Sequence, residues 1–206
     1  MKVALRLCLC LLVAAPLWAS SVLRVDFGQL TRAAQRIVGG RVVNITAERD
    51  AQNGYIFSTV TLAVMQAVPS QLAGRQYSFR MIGGELGSQV QYIADYPQFR
   101  VGDNVVLFLT GQTSSVFGPT VGLGQGVFFV ESDPYSGIEH VTDQIHRPIL
   151  AVRESKLVRG LARPKELSTA ELTAGGQPRS GLRLNEFFNE VRAYRAQGSP
   201  SGVIGR

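Results

Sequence analysis

Five consecutive apolar residues, Val105-Val106-Leu107-Phe108-Leu109, constrain this chain more than any other stretch. The run is too short for a self-sufficient helix, and it fits a strand buried on both faces. Gly102-Asp103 supplies a turn just before it, and Gly111 follows Thr110 to end it. A strand of that kind needs neighbours on either side, which makes it the expected centre of a β core.

Candidate neighbours follow in order. Arg36–Thr46 is rich in β-branched residues, and Gly39-Gly40 in its interior marks a bulge or a sharp coil. Asn53-Gly54 is the strongest hairpin signal of the chain. Beyond it Tyr55–Val68 alternates, with Val60, Leu62 and Val64 on one face, until Pro69 stops the strand. Gln76–Ile82 alternates again, Gln89–Ile93 is a short edge strand, Gly126–Glu131 is another strand, and Ile138–Ile149 contributes a further one. Five to six strands joined by turn signals, with no long helical pattern between them, predict a mainly β chain, an antiparallel barrel or sandwich.

The flanks read differently. Ser21–Gln35 suggests a lead-in with one or two helical turns. Val152–Pro178 looks irregular, with a linker at Gly175-Gly176-Gln177-Pro178. Asn185–Gln197 predicts an amphipathic helix with Asn185 as N-cap and Phe187, Phe188, Val191 and Tyr194 near one face. That face is expected to pack on the body of the protein. The competing use is a lipid surface, with Arg183, Arg192 and Arg195 reaching toward headgroups.

At the start, Lys2 and Arg6 precede an apolar run from Leu7 to Leu17 and the small residues of Trp18-Ala19-Ser20-Ser21. This is the order of a secretory signal peptide, cleaved near Ala19. The run is shorter than the roughly 20 residues of a membrane-spanning helix. Cys8 and Cys10, the two cysteines of the chain, leave with it. The expected mature protein, secreted or periplasmic, therefore has no disulfide, no thiol nucleophile and no thiolate metal site, and no transmembrane segment.

Charge is uneven. Residues 20–145 hold eight basic and ten acidic side chains, net −2, whereas residues 146–206 hold eleven and five, net +6. A basic last third points to an acidic contact such as a polyanionic ligand, an anionic surface or a protein. Its basic residues are dispersed and lack interleaved aromatics, so nucleic acid is not the expected partner.

The order L-x-x-A-A-x-x-I-V-x-G-x-V over Leu30–Val42, the Thr-bearing second strand, the glycine pair at Gly83, and P-x-F-x-x-G-D-x-V-V-L-F-L over Pro97–Leu109 together resemble uncharacterised exported bacterial proteins with an OB-like barrel. More distantly, the order is similar to the netrin-like domain found in tissue inhibitors of metalloproteinases. The resemblance implies a small closed barrel followed by a helix and no enzyme. Those inhibitors chelate zinc through an amino-terminal cysteine, which the mature chain lacks, so no functional residue is carried over.

Candidate chemistry is sparse. His140, Asp143 and His146 form H-x-x-D-x-x-H, which could gather three metal ligands or a histidine–carboxylate pair for acid–base work, as in a metal-assisted hydrolase. The spacing is not a one-turn helical pair and no second cluster completes it, so no catalytic residue, metal or cofactor is assigned. Gly122-Leu123-Gly124-Gln125-Gly126 precedes a strand and lacks the Lys-Ser/Thr of a phosphate loop. Ser114-Ser115 have no base nearby in sequence. Glu131 and Asp133 sit at a turn, and Asn44-Ile45-Thr46 fits a glycosylation acceptor only incidentally. The sequence reads as residues 1–19 signal peptide, 20–150 an OB-like (netrin-like) β-barrel domain, and 151–206 a basic extension with a helix near 185–197. Its function reads as a non-catalytic binding or interaction module.

Overall fold

The computed structural model describes residues 24–111, 118–133, 136–160 and 181–198. The signal segment, Ser114-Ser115, the 175–178 linker and the tail from Ser199 onward lie outside them. The chain is mainly β. A short helix α1 (Phe27–Ala33) leads into β1 (Arg36–Arg49), β2 (Ile56–Val68), β3 (Gln76–Ile82), β4 (Gly84–Leu86), β5 (Gln89–Gln91), β6 (Asn104–Leu109), β7 (Val127–Ser132), β8 (Glu139–Thr142), β9 (Ile149–Arg153) and β10 (Lys156–Arg159), and α2 (Leu184–Gly198) closes the described chain. Six strands form one sheet in the order β3-β2-β1-β6-β7-β8, every pairing antiparallel. The sheet is not closed: β3 and β8 are its edges. Hairpins β4–β5 and β9–β10 stand apart from it.

The apolar run is the two-sided strand that its composition predicts. Val105, Leu107 and Leu109 enter one core with Val38, Val60, Leu62 and Phe79, while Val106 and Phe108 enter the other. All five are fully buried. Among the described residues no α-helix lies over the first of these cores; Leu72, Tyr96 and Phe99 pack against it from the connecting segments. The second is covered by α1 and α2, where Phe187 stands 5.2 Å from Phe128 and 5.5 Å from Phe27, ring to ring. Burying a ring of that size contributes about 2–3 kcal/mol.

β1 is long because two glycines let it bend. Its ladder with β2 shifts register between Gly39 and Gly40 and again between Val42 and Asn44. A Cβ on Gly40 would lie 2.4 Å from the Ala63 carbonyl oxygen, so this close approach requires glycine. The inserted residue at the second shift swaps the faces. Val38 and Val42 point into the helix-free core before it, and Ile45 points there after it.

α1 starts on a capping box, in which the Asp26 carboxylate accepts from the Gln29 N–H and the Gln29 side chain accepts from the Asp26 N–H. α2 starts earlier than Asn185. Leu182 is hydrogen-bonded into the sheet through Ile149 and Val141, which places Arg183 at the cap, where its N–H donates to Glu186 at 2.8 Å. Phe187, Phe188 and Val191 are fully buried, so the apolar face of α2 packs on the body. The region expected to be irregular from Val152 contains the β9–β10 hairpin, which turns at Glu154-Ser155 with both residues at positive φ, as in a type I′ turn. Among the described residues no helix is long and apolar enough to cross a membrane.

Candidate functional site

Past Val42, β1 and the segment leading into β6 separate. They are clamped at one point, where the Val42 N–H donates to the Asp103 carbonyl and the Gly102 N–H donates to the Val42 carbonyl, both at 2.8 Å. Asp103 also fixes the turn by accepting from the Arg100 N–H at 2.7 Å. From this clamp Pro97–Arg100 runs along one side while β1 continues to Arg49 along the other, and a cleft of about 420 Å³ opens between them. Its floor is Ser58 and Val60 of β2 with Met81 of β3.

The β4–β5 hairpin forms the far wall. Gly83 and Gly84, both at positive φ, fold it back across the sheet, and a Cβ on Gly84 would collide with the Ser58 hydroxyl. That hydroxyl donates to the Gly83 carbonyl at 2.7 Å. Gln91 accepts from the Ile56 N–H at 2.8 Å, and the Arg49 guanidinium donates to the Gly54 carbonyl and to Gln89, so the hairpin is tied to the β1–β2 turn. On the opposite side Phe99 packs edge-on against Phe79 at 5.9 Å.

Apolar and aromatic side chains alternate in the lining with the polar Ser58, Gln91, Gln98 and Arg100, and among its described residues Glu85 is the sole carboxylate and there is no histidine. Tyr96 turns its hydroxyl toward Gly118 with no hydrogen-bond partner among the described residues, and burial raises its phenol pKa. At and beside the mouth, Tyr55, Val90 and Tyr92 are 50%, 66% and 63% exposed. A cavity of this size and lining has the character of a ligand site.

The histidine–aspartate cluster is not assembled into a site. His140 lies on β8 with Nδ1 at 3.4 Å from the Ile138 carbonyl. His146, 62% exposed, pairs through Nδ1 with Glu131 at 2.5 Å and stacks loosely on Phe129. Asp143 caps its own turn by accepting from the Ile145 and Arg147 N–H groups, and its other oxygen accepts from the side chains of Arg147 and Arg159. Among the described residues no group of three His, Cys, Asp or Glu side chains is placed to hold a metal. Burial lowers the pKa of Arg159, with Asp143 opposing the shift.

The glycine-rich stretch at Gly122–Gly126 is a tight 3-10 turn (Leu123–Gly126) rather than a phosphate cradle, and Gly124 faces the Gln144 amide too closely for a Cβ. Asp133 is a turn cap, accepting from the Ser136 N–H at 3.1 Å. Sequence reading missed the cleft. The available signal was Gly83-Gly84 followed by Tyr92, Tyr96, Pro97 and Phe99, an aromatic segment without strand periodicity. No protein-family model matches the chain, nor does any curated protein or solved structure.

Proposed function

We propose that this protein is an exported, non-catalytic binding module and that its ligand occupies the cleft between β1 and Pro97–Arg100. The observation that carries the reading is the cleft itself, about 420 Å³ with Tyr92, Tyr96 and Phe99 among its described lining residues. The strand order β3-β2-β1-β6-β7 supports an OB-like ancestry, since an OB barrel uses this neighbour order and binds ligands on the face of its second and third strands. The charged start, apolar run and small residues of the first nineteen positions support export.

A fragment screen on the isotope-labelled protein, read by amide chemical shifts, tests the site. The expected result is that hits perturb Ile45, Ala47, Tyr92, Tyr96 and Phe99 together. Hits scattered over the surface, or confined to the β9–β10 side, would overturn the assignment. Amino-terminal sequencing of the exported product tests the compartment and should begin near Ser20.

A further inference from the structure

Resting on that reading of the cleft, we infer that the distal half of β1 is a docking edge for an extended, acidic peptide segment of a partner protein, which adds itself as a strand beside Ile45, Ala47 and Arg49. β1 pairs with β6 only over Arg36–Arg41, whereas its pairing with β2 continues to Arg49. Beyond the Val42 clamp, the edge of β1 opposite to β2 is hydrogen-bonded to no strand among the described residues, although Gly84 of β4 lies over Ala47.

Which groups face that side follows from the ladder. The Ile56 N–H donates to Gln91 and its carbonyl accepts from the Gly83 N–H, so both groups of Ile56 point away from β1. Its partner Arg49 is then in a non-hydrogen-bonded pair, with its own N–H and carbonyl directed outward. No register shift separates Asn44 from Arg49, so Ala47 and Ile45 share that direction. Three residues therefore present N–H and carbonyl groups in a row, repeating every second residue over roughly 13 Å. Only another extended backbone matches that repeat, and about four or five residues of it would fill the edge.

Of the devices that blunt a free strand edge, the register shift at Val43 lies just before this row and Arg49 is charged, while the others are missing among the described residues. Val43–Arg49 contains no proline and no lysine, and no helix covers it. Instead a cavity adjoins it, lined by Ile45 and Ala47 of the same strand. A docked strand would direct alternate side chains over this cavity, toward Val60, Met81 and Phe99, so those positions should be apolar.

Charge selects the rest of the ligand. The carboxylates nearest the β1 end, Glu48 and Asp50, are taken up by Arg80 at 3.0 and 3.5 Å. Among the described residues Arg49 donates to the neutral acceptors Gly54 and Gln89, and neither it nor Arg100 on the opposite wall has a carboxylate partner. The cleft lining sets Arg100 against Glu85, and Arg49, beside it, adds a second guanidinium without a carboxylate partner among the described residues. Peptides with Asp or Glu flanking the apolar positions complement that balance.

Selection of a random octapeptide display library on the purified chain supplies the probe. Enriched peptides should alternate apolar residues and carry Asp or Glu beside them. N-methylation of every second amide of such a peptide should weaken binding tenfold or more, while methylation of the intervening amides changes it little. Ala47→Pro removes one outward N–H without touching the β2 ladder and should weaken binding equally, with the amide spectrum of the remaining sheet retained. Arg100→Glu should shift selection toward basic flanks. If fragments map to the cleft but no peptide is enriched, or N-methylation acts without a two-residue period, the strand-addition inference falls and the binding cleft stands. If neither fragments nor peptides bind there, both fall.

Discussion

The hydroxyl oxygen of Tyr194, on α2, accepts a 2.8 Å hydrogen bond from the backbone N–H of Ser155 in the β9–β10 turn. The carbonyl of Ser155 in turn accepts from the Phe27 N–H at 2.8 Å, at the start of α1. One turn residue thus ties both helices to the last hairpin. Replacing Tyr194 by Phe leaves the Ser155 N–H without its partner and should lower unfolding free energy by about 1 kcal/mol. Urea denaturation measures this, and faster amide exchange at Ser155 should accompany it.

Gly40 is the second test. With a Cβ 2.4 Å from the Ala63 carbonyl oxygen, Gly40→Ala must push β1 away from β2 at the bend and should cost roughly 2 kcal/mol. Gly74→Ala serves as the comparison. Nothing lies within 4 Å of its Cβ, and only its positive φ of 76° resists substitution, for about 1 kcal/mol. Equal losses at the two sites would contradict the close approach.

Asp143 holds Arg147 at 2.7 Å and Arg159 at 3.0 Å while only 11% exposed. Asp143→Asn keeps the shape and the turn caps but removes the charge, leaving two facing guanidinium groups. Because both arginines remain partly solvated, the expected loss is about 1–2 kcal/mol, less than for a fully buried pair. In a double-mutant cycle, Arg159→Met should recover part of it.

Tyr96 carries a buried hydroxyl without a partner among the described residues. Tyr96→Phe should raise stability by about 1 kcal/mol at neutral pH, because an unsatisfied polar group is removed without changing the ring. The sign with pH follows from its raised pKa, which burial causes. The folded state favours the neutral phenol, so this contribution is full below the ordinary tyrosine value near 10 and is lost as pH rises through the higher folded value. Alkaline unfolding curves of the Phe variant should lack that step.

Asp50 gives the acidic counterpart. Its carboxylate accepts from the Gln52 and Asn53 N–H groups at 2.9 and 3.3 Å and lies 3.5 Å from Arg80. The Gln52 bond is the main cause of its lowered pKa, desolvation opposing and Asn53 and Arg80 adding. Stability from Asp50 is therefore present above the ordinary carboxylate value near 4 and lost as pH falls through the lower folded one. Asp50→Asn should destabilise at pH 7, with the difference from the parent narrowing in acid.

Local chemistry made much of the architecture legible. Val105–Leu109 lacks alternation because both of its faces are covered, and Gly39-Gly40 announced the bend that the register shift records. The β9–β10 hairpin escaped because its turn, Glu154-Ser155, holds positive φ without glycine or asparagine and is pinned by Tyr194 and Phe27 from far along the chain. Asn185 attracted the helix start by its capping preference, yet the pairing of Leu182 with Ile149 decided it. The cleft was invisible for a similar reason. It exists where two segments more than forty residues apart diverge, and neither Ile45 nor Phe99 bears a local mark of facing the other. His140 and His146 drew attention by their chemistry alone, while the adjacent Asp143 was already committed to two arginines, one of them 16 residues away.

From Val42 to Arg49, β1 is a cantilever: rooted in the two-sided core at one end and braced by a single neighbouring ladder along its length. Such an arm opens locally at far less cost than the rooted half, where β2 and β6 both hold it. Sequence drift along it can change the groups it turns outward while the aromatic cluster beneath α2 stays unaltered.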